Sequence, residues 1–195
     1  TSGSSKKASI FIDNLYRKII KAGTFLAKNI KTAEAAKITE NIQRDVNIAL
    51  VNELSIYFNK KNISSLDVIN AASSKWNFHK YFPGLVGGHC ISVDPYYLSY
   101  SAKKLNINSE LIDTSRKINN NYFRFIVSNI KKISVEKKIP LKKSKVLILG
   151  FSFKENCPDI RNTQVVKIYN SLVNVVKRID ISDNLVDAKD VEAQY

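Results

Sequence analysis

Between residues 32 and 59 the chain has neither glycine nor proline, and Ile42, Val46, Leu50, Leu54 and Phe58 recur at four-residue steps. Such a step returns to one side of a helix with 3.6 residues per turn, so the segment predicts a long helix with an apolar stripe. A rod of that length constrains every other element, which must pack along it. The same spacing predicts a short helix over residues 9–21, with Phe11, Leu15 and Ile19 on one side and Gly23 breaking the pattern. Ser64 or Ser65 is placed to cap a third helix reaching about residue 74, with Leu66, Val68 and Ile69 as its buried face. A further long helix is predicted over residues 109–138, with Leu111, Ser115, Ile118, Tyr122, Phe125, Ile126, Ile130 and Ile133 on one face, and Pro140 ends it.

Beyond Pro140 the pattern changes. Residues 145–150, KVLILG, form a short apolar run closed by glycine, as in a buried parallel strand. Residues 159–173 then read as a helix and residues 176–182 as an alternating strand ending at Asp183. The expected fold class is α/β: a mostly helical central part, then the start of a Rossmann-like parallel α/β domain. One crossover is too small for a stable sheet, and the chain contains no methionine, so it reads as an interior fragment.

Composition excludes several classes. With 195 residues, 44% of them hydrophobic, the chain can bury a core, and no apolar run approaches the ~20 residues of a membrane span. Two cysteines make no disulfide framework, and no secretory segment follows the N-terminus, which points to a reducing cytoplasm. The net charge of +14 suggests an anionic partner. Its lysines are scattered and no zinc finger, RNA-recognition signature or continuous basic helix accompanies them, so a nucleic-acid partner is not expected; a bias of composition toward Lys, Asn and Ile explains the excess at least as well, and a small anionic substrate would be attracted just as readily.

Residues 75–93 follow neither period and read as a long loop, a place where function commonly resides. Three of the six glycines, Gly84, Gly87 and Gly88, cluster here ahead of Cys90, and Asp94-Pro95 reads as the N-cap and first residue of a helix to about residue 104. A thiolate near a helix N-terminus is an activated nucleophile, although an isolated cysteine is usually a small buried hydrophobe; the glycine-rich setting favours the first reading. Gly87 and Gly88 would let the backbone approach a ligand closely. His89 is adjacent to Cys90 and in an extended chain would point away from it. His79, His89, Cys90 and Cys157 lack paired ligand spacing, so no metal site is expected.

On the first long helix Lys37 and Asn41 share a face, with Arg44 one turn on; by residue type alone this is a solvated stripe. Residues 151–162 form a loop between strand and helix, where open α/β sheets bind ligands, and Lys154 and Arg161 would bring phosphate-compatible charge there, with Asp159 as a helix cap. No G-x-G-x-x-G dinucleotide fingerprint occurs in the chain.

Three segments, AEAAKITENIQRDVNIALVNEL (33–54), KWNFHKYFPGLVGGHCISVDPYYL (75–98) and VLILGFSFKENCPDIRN (146–162), together resemble the UDP-glucose/GDP-mannose dehydrogenase family, in its UDP-N-acetylhexosamine 6-dehydrogenase branch. The resemblance implies an NAD-dependent, four-electron oxidation of a sugar C6 alcohol to a carboxylate through a cysteine thioester, for surface polysaccharide synthesis. It implies that Cys90 is the nucleophile, that Lys37 stabilises oxyanion charge with Asn41 beside it, and that Asp94 assists proton transfer. Tyr81, Phe82, Pro83, Gly84, Leu85, Val86, Gly87 and Gly88 match the sugar-nucleotide loop, Lys154 a substrate contact and Arg161 a residue reaching NAD, while His89 marks the branch. It further implies that residues 1–31 end an NAD-binding domain, 32–140 form a central helical, dimerising and catalytic domain, and 141–195 begin a UDP-sugar-binding domain. The expected substrate is UDP-GlcNAc or UDP-GalNAc and the expected assembly a homodimer. Without an NAD-binding domain the fragment is expected to be inactive. UDP-glucose or UDP-ManNAc oxidation, or a non-catalytic helical module that dimerises or binds anions, are the alternatives.

Overall fold

A computed structural model describes residues 1–195, and the chain divides into two compact units, Thr1–Gln43 and Arg44–Tyr195. In the first unit, helix α1 spans Lys6–Arg17, and the Ser5 hydroxyl caps it by accepting from the Ala8 N–H. The helix starts earlier and stops earlier than the apolar spacing predicts. Its chain turns at residues 18–22 and reaches Gly23 with φ of +87°, a conformation glycine adopts without strain. The residue it buries is Asp13, which accepts from the Thr1 hydroxyl and from Arg17 Nε, each at 2.6 Å. The hydrogen bond from Thr1 is the main reason that this carboxyl is lowered to about 2.

Helix α2 spans Ile30–Lys60. Asn29 Oδ1 opens it by accepting from the Thr32 N–H at 2.8 Å. The helix is where the apolar stripe predicts it, but the stripe is not what the second unit buries. Leu50 is 56% exposed and Leu54 40%, whereas Asp45, Ala49, Asn52 and Ser55 are buried. The reason lies in helix α5, Glu110–Glu136, which meets α2 through polar groups: Ser55 Oγ with the Tyr122 hydroxyl at 2.9 Å, Asn52 with Asn119 at 2.9 Å, Asp45 with Arg116 at 2.5 Å. The buried face of α5 is correspondingly Ser115, Arg116, Asn119, Tyr122, Val127 and Ser134, while Leu111 and Ile133 of the predicted face are exposed.

Helix α3, Ser65–Ala72, is capped by Ser64 and buries Ile69. Helix α4 spans Asp94–Lys104 with Val93 at its N-cap, so Asp94 is the first helical residue and not the N-cap. The expectation is displaced by one residue because the chain is already turning at Cys90, whose carbonyl accepts from the Val93 and Asp94 N–H groups at 3.0 and 2.8 Å.

Strands β1, Lys145–Leu149, and β2, Arg178–Ser182, pair in parallel with Lys145 opposite Arg178 and Leu149 opposite Ser182, completing the predicted β-α-β unit. However, β1 is not the buried strand expected: Ile148 meets the core while Leu147 and Leu149 are exposed, because one face of this two-stranded sheet has no layer over it. Its helix α6 begins at Val165 and ends at Leu172, later than predicted. Asp159 does not cap it. Its carboxylate instead takes the Arg161 N–H and guanidinium, which holds residues 159–164 out of the helix. Helix α7, Ala188–Gln194, is capped by Asp187 and was not anticipated. Val127, Ile168 and Leu172 form a core packed by Ile126, Ile130, Ile148, Ile179 and one loop residue, Leu85. No helix is long and apolar enough to cross a membrane.

Candidate active site

Two irregular segments of the second unit carry most of the predicted residues, and the structure packs them on each other. The Gly88 N–H donates to the Arg161 carbonyl at 3.1 Å, and Asn162 Nδ2 donates to the Gly88 carbonyl at 3.1 Å. The Ser92 hydroxyl donates to the same carbonyl. A Cβ on Gly87 would lie 2.7 Å from the Asn162 carbonyl oxygen, and one on Gly88 would lie 2.6 Å from the Phe153 ring. Gly88 also has φ of +88°. These two glycines therefore serve a backbone-to-protein approach, not the open approach to a ligand expected from the sequence. Gly84 is different, since a Cβ there would meet nothing within 4 Å.

The contact brings Cys90 to the loop that carries Arg161. The Cys90 thiol is exposed and Cys157 is partly buried. Cys90 lies in a turn, not in extended chain, so the alternation argument that separated it from His89 does not apply. Asp159 grips Arg161 through Nε at 2.9 Å and Nη2 at 2.5 Å. That grip holds the Asp159 carboxyl down at about 2 and raises Arg161. Lys154 is exposed on the same loop.

The loop of residues 150–164 is itself anchored by residues that sequence reading does not single out. Asp183, at the end of β2, accepts from the Phe151 and Ser152 N–H groups at 2.7 and 3.1 Å, and the Phe151 bond leads in lowering its carboxyl. The Tyr195 hydroxyl donates to the Ile160 carbonyl at 2.8 Å, and its ring meets Phe151 edge-on. A strand-ending aspartate was visible in the sequence, but its partners are set by loop conformation.

The other end of the glycine loop is held by α2. Asn52 receives the Gly84 N–H on Oδ1 at 2.8 Å and returns Nδ2 to the Gly84 carbonyl at 3.0 Å. Tyr81 and Phe82 line a cleft of about 500 Å³ with Arg44, Ile48, Phe78, His79 and Lys80. Lys80 sits over the Phe82 ring at 5.1 Å, so the cleft joins aromatic faces to cationic groups. Pro83, Leu85 and Val86 carry the chain from this cleft to the Gly88 contact, with Val86 buried.

Lys37 and Asn41 belong to the first unit. The Lys37 ammonium lies 2.6 Å from Glu40 Oε2 and 3.4 Å from Asn41 Oδ1, and Asn41 is buried. The two residues therefore do share a helix face, and the face is not merely solvated. Asp94 stands at the first position of α4, four residues after Cys90. No group of three or more His, Cys, Asp or Glu side chains is arranged to hold a metal. The arrangement as a whole offers an exposed thiol near a guanidinium, on a loop contiguous with a cationic, aromatic cleft, which suits covalent chemistry on an anionic substrate.

Two family models match the chain: the central domain of the UDP-glucose/GDP-mannose dehydrogenase family over residues 31–121, and the UDP binding domain of the same family over residues 147–195. The UDP-N-acetyl-D-glucosamine 6-dehydrogenases of Salmonella typhi and Pseudomonas aeruginosa are 49% and 47% identical to it over 195 residues. The chain is covered completely in both cases and spans 46% of each relative's length. Among solved structures, the UDP-D-ManNAc dehydrogenase of Pyrococcus horikoshii matches with a TM-score of 0.83 at 32% identity, covering 95% of this chain and 44% of that one.

Proposed function

Because the chain belongs to the UDP-glucose/GDP-mannose dehydrogenase family, we propose that it forms the central and UDP-binding parts of an NAD-dependent enzyme oxidising C6 of a UDP-N-acetylhexosamine to the carboxylate. The observation that carries the reading is the docking of the glycine loop onto residues 150–164, joined through the Gly88–Arg161 bond. It sets an exposed thiol beside a guanidinium within the two matched segments. UDP-GlcNAc is the first substrate to test, on the strength of the similarity to the two N-acetylglucosamine enzymes, with UDP-GalNAc beside it.

In this reading Cys90 Sγ adds to C6 at the aldehyde level, forming a C–S bond, and the oxygen that becomes an alkoxide is stabilised by the Lys37 ammonium. Asn41, buried and within reach of Lys37, orients that ammonium. The oxidising power would come from NAD+, two molecules of which, bound in turn, would each accept one hydride. Oxidation of the thiohemiacetal leaves a thioester on Cys90; water then adds, the C–S bond breaks, and the carboxylate and free thiol are released. Asp94 receives the proton of that water. The cationic cleft beside Tyr81 and Phe82, with Lys154, attracts the substrate's diphosphate.

The Arg161 side chain is 55% exposed, so it can meet an anionic group on one side while Asp159 holds the other. That fits a contact to the cofactor's phosphates. The β-α-β unit of this chain does not offer the usual dinucleotide turn, since a long loop without G-x-G-x-x-G separates β1 from α6. The exposed Leu50, Leu54 and Tyr57 on α2 support the homodimer, as a second copy would cover them. Use of NAD and a UDP-sugar suits a cytoplasmic enzyme supplying uronic acid donors for surface polysaccharide.

The test is Cys90→Ser in the full-length protein, with UDP-GlcNAc and NAD. Loss of UDP-sugar acid formation with retained UDP binding supports the mechanism; unchanged acid formation removes it.

A further inference from the structure

The Asn52 clamp on Gly84 is one end of a buried polar chain, and the chain has a direction. Asn52 and Asn119 are both fully buried, and Asp45 and Arg116 nearly so. Arg116 Nη1 donates to Asp45 Oδ1 at 2.5 Å. Asn119 Nδ2 donates to the same oxygen at 2.7 Å and to the Asp45 carbonyl at 2.9 Å. Asn52 Nδ2 donates to Asn119 Oδ1 at 2.9 Å.

A side-chain amide has a donor end and an acceptor end, whereas a carboxylate only accepts. With Asp45 ionised beside Arg116, Asn119 must turn its amino group to it and its oxygen to Asn52. Asn52 must then present its amino group to Asn119, and its own oxygen is left for the Gly84 N–H. The charge pair between α2 and α5 thus sets the orientation in which one loop peptide is received. Burying four such side chains merely to join two helices is poorly motivated, since apolar residues of similar size do that at least as well. What apolar residues cannot do is grip both polar groups of an irregular peptide. The opposite side of that peptide is open, because a Cβ at Gly84 would meet nothing within 4 Å.

We infer that Asn52 and Asn119, oriented by the Asp45–Arg116 pair, are positioning residues that hold the loop of residues 81–88 in the shape that receives the sugar nucleotide. The inference rests on the proposed substrate reading for the kinetic effect but not for the effect on the loop. Two anchors then define the loop, Gly84 on α2 and Gly88 on the Arg161 segment, with Cys90 following the second.

The experiment compares Asn52→Ala, Asn52→Asp and Asn119→Ala with Ser55→Ala in the full-length protein. Ser55→Ala removes two buried bonds, one to Tyr122 on α5 and one to the Asn52 backbone carbonyl, and leaves both Asn52 side-chain bonds to the loop in place. Hydrogen exchange of the Gly84 amide is expected to quicken about tenfold or more in Asn52→Ala and Asn119→Ala, and not in Ser55→Ala. In the same two variants KM for UDP-GlcNAc rises about tenfold with kcat little changed. Asn52→Asp keeps the acceptor for Gly84 and loses the donors, so it falls between, and it serves if the alanine variants do not fold. Unchanged Gly84 exchange in folded Asn52 variants overturns the inference, as does quickened exchange with unchanged KM. Wild-type protein that neither binds nor oxidises any UDP-sugar sinks the substrate reading instead, and Gly84 exchange alone then decides whether the clamp positions the loop.

Discussion

At the scale of single residues, Gly88 and Asp159 show how closely the two loops depend on each other. Gly88 combines φ of +88° with a Cβ direction that runs into the Phe153 ring. Gly88→Ala is expected to destabilise the protein by about 1–3 kcal/mol, the usual cost of a strained backbone, with some further loss if the ring cannot turn aside. Urea unfolding monitored by far-UV circular dichroism measures this, and an unchanged midpoint would show that Gly88 does not need to be glycine. Asp159 is lowered to about 2 chiefly by Arg161. A depressed carboxyl contributes stability above its unfolded value near 3.8 and loses it as pH falls through the folded value. The Asp159–Arg161 pair is therefore expected to persist from neutral pH to about pH 3 and to open near pH 2. Carboxyl-carbon NMR of Asp159 follows this directly, and titration near 4 would contradict it. Because Arg161 is exposed, the pair adds little to overall stability. Its value is in orienting Arg161.

At the scale of elements, α2 presents two faces with opposite fates. Its polar residues Asp45, Asn52 and Ser55 are buried against α5, and its apolar residues Leu50 and Leu54 are exposed. Arg116→Ala leaves the Asp45 carboxylate buried without its charge partner, which is expected to cost about 3–5 kcal/mol. Burial pushes the Asp45 carboxyl up and Arg116 pulls it back, so removing Arg116 also raises it further. Thermal unfolding at neutral pH measures the cost, and a loss below about 1 kcal/mol would mean that water reaches the carboxylate. The exposed face predicts a different effect. Leu54→Ser, which takes an exposed apolar group from α2, is expected to weaken self-association of the full-length protein while leaving the fold intact, as sedimentation velocity would report. Persistence of an undiminished dimer would place the interface elsewhere.

At the scale of the whole molecule, charge is the dominant property. On the proposed function, the +14 charge of these residues would attract a diphosphate-linked sugar from outside the cleft, and salt screens such attraction over a Debye length of about 8 Å at physiological ionic strength. KM for the UDP-sugar is therefore expected to rise with added NaCl, with kcat much less affected. A KM independent of salt between low and high ionic strength would assign recognition to short-range contacts alone. The charge is spread over helices throughout the chain, so no single lysine outside the site is expected to reproduce the effect.

The sequence by itself determined the order of elements as far as β2, because glycine and proline interrupt helical periodicity and a short apolar run after Pro140 has the form of a parallel strand. It also singled out the segment around Cys90, and the family resemblance specified the reaction to be expected. It did not determine which face of α2 is buried, since Leu50 and Asn52 lie on opposite sides of one helix and the outcome depends on Arg116 and Asn119, more than sixty residues away along the chain. Nor did it reveal why Gly87 and Gly88 are small, because the groups they accommodate, Phe153 and Asn162, approach only once the β-α-β unit has folded. The expected starts of α4 and α6 were missed in opposite directions, α4 beginning one residue before Pro95 and α6 beginning six residues after Asp159: both aspartates are plausible caps, and the choice was made by a turn at Cys90 and by the pull of Arg161. Local spacing decides what a segment becomes; long-range hydrogen bonds decide what it faces, and only the tertiary structure contains them.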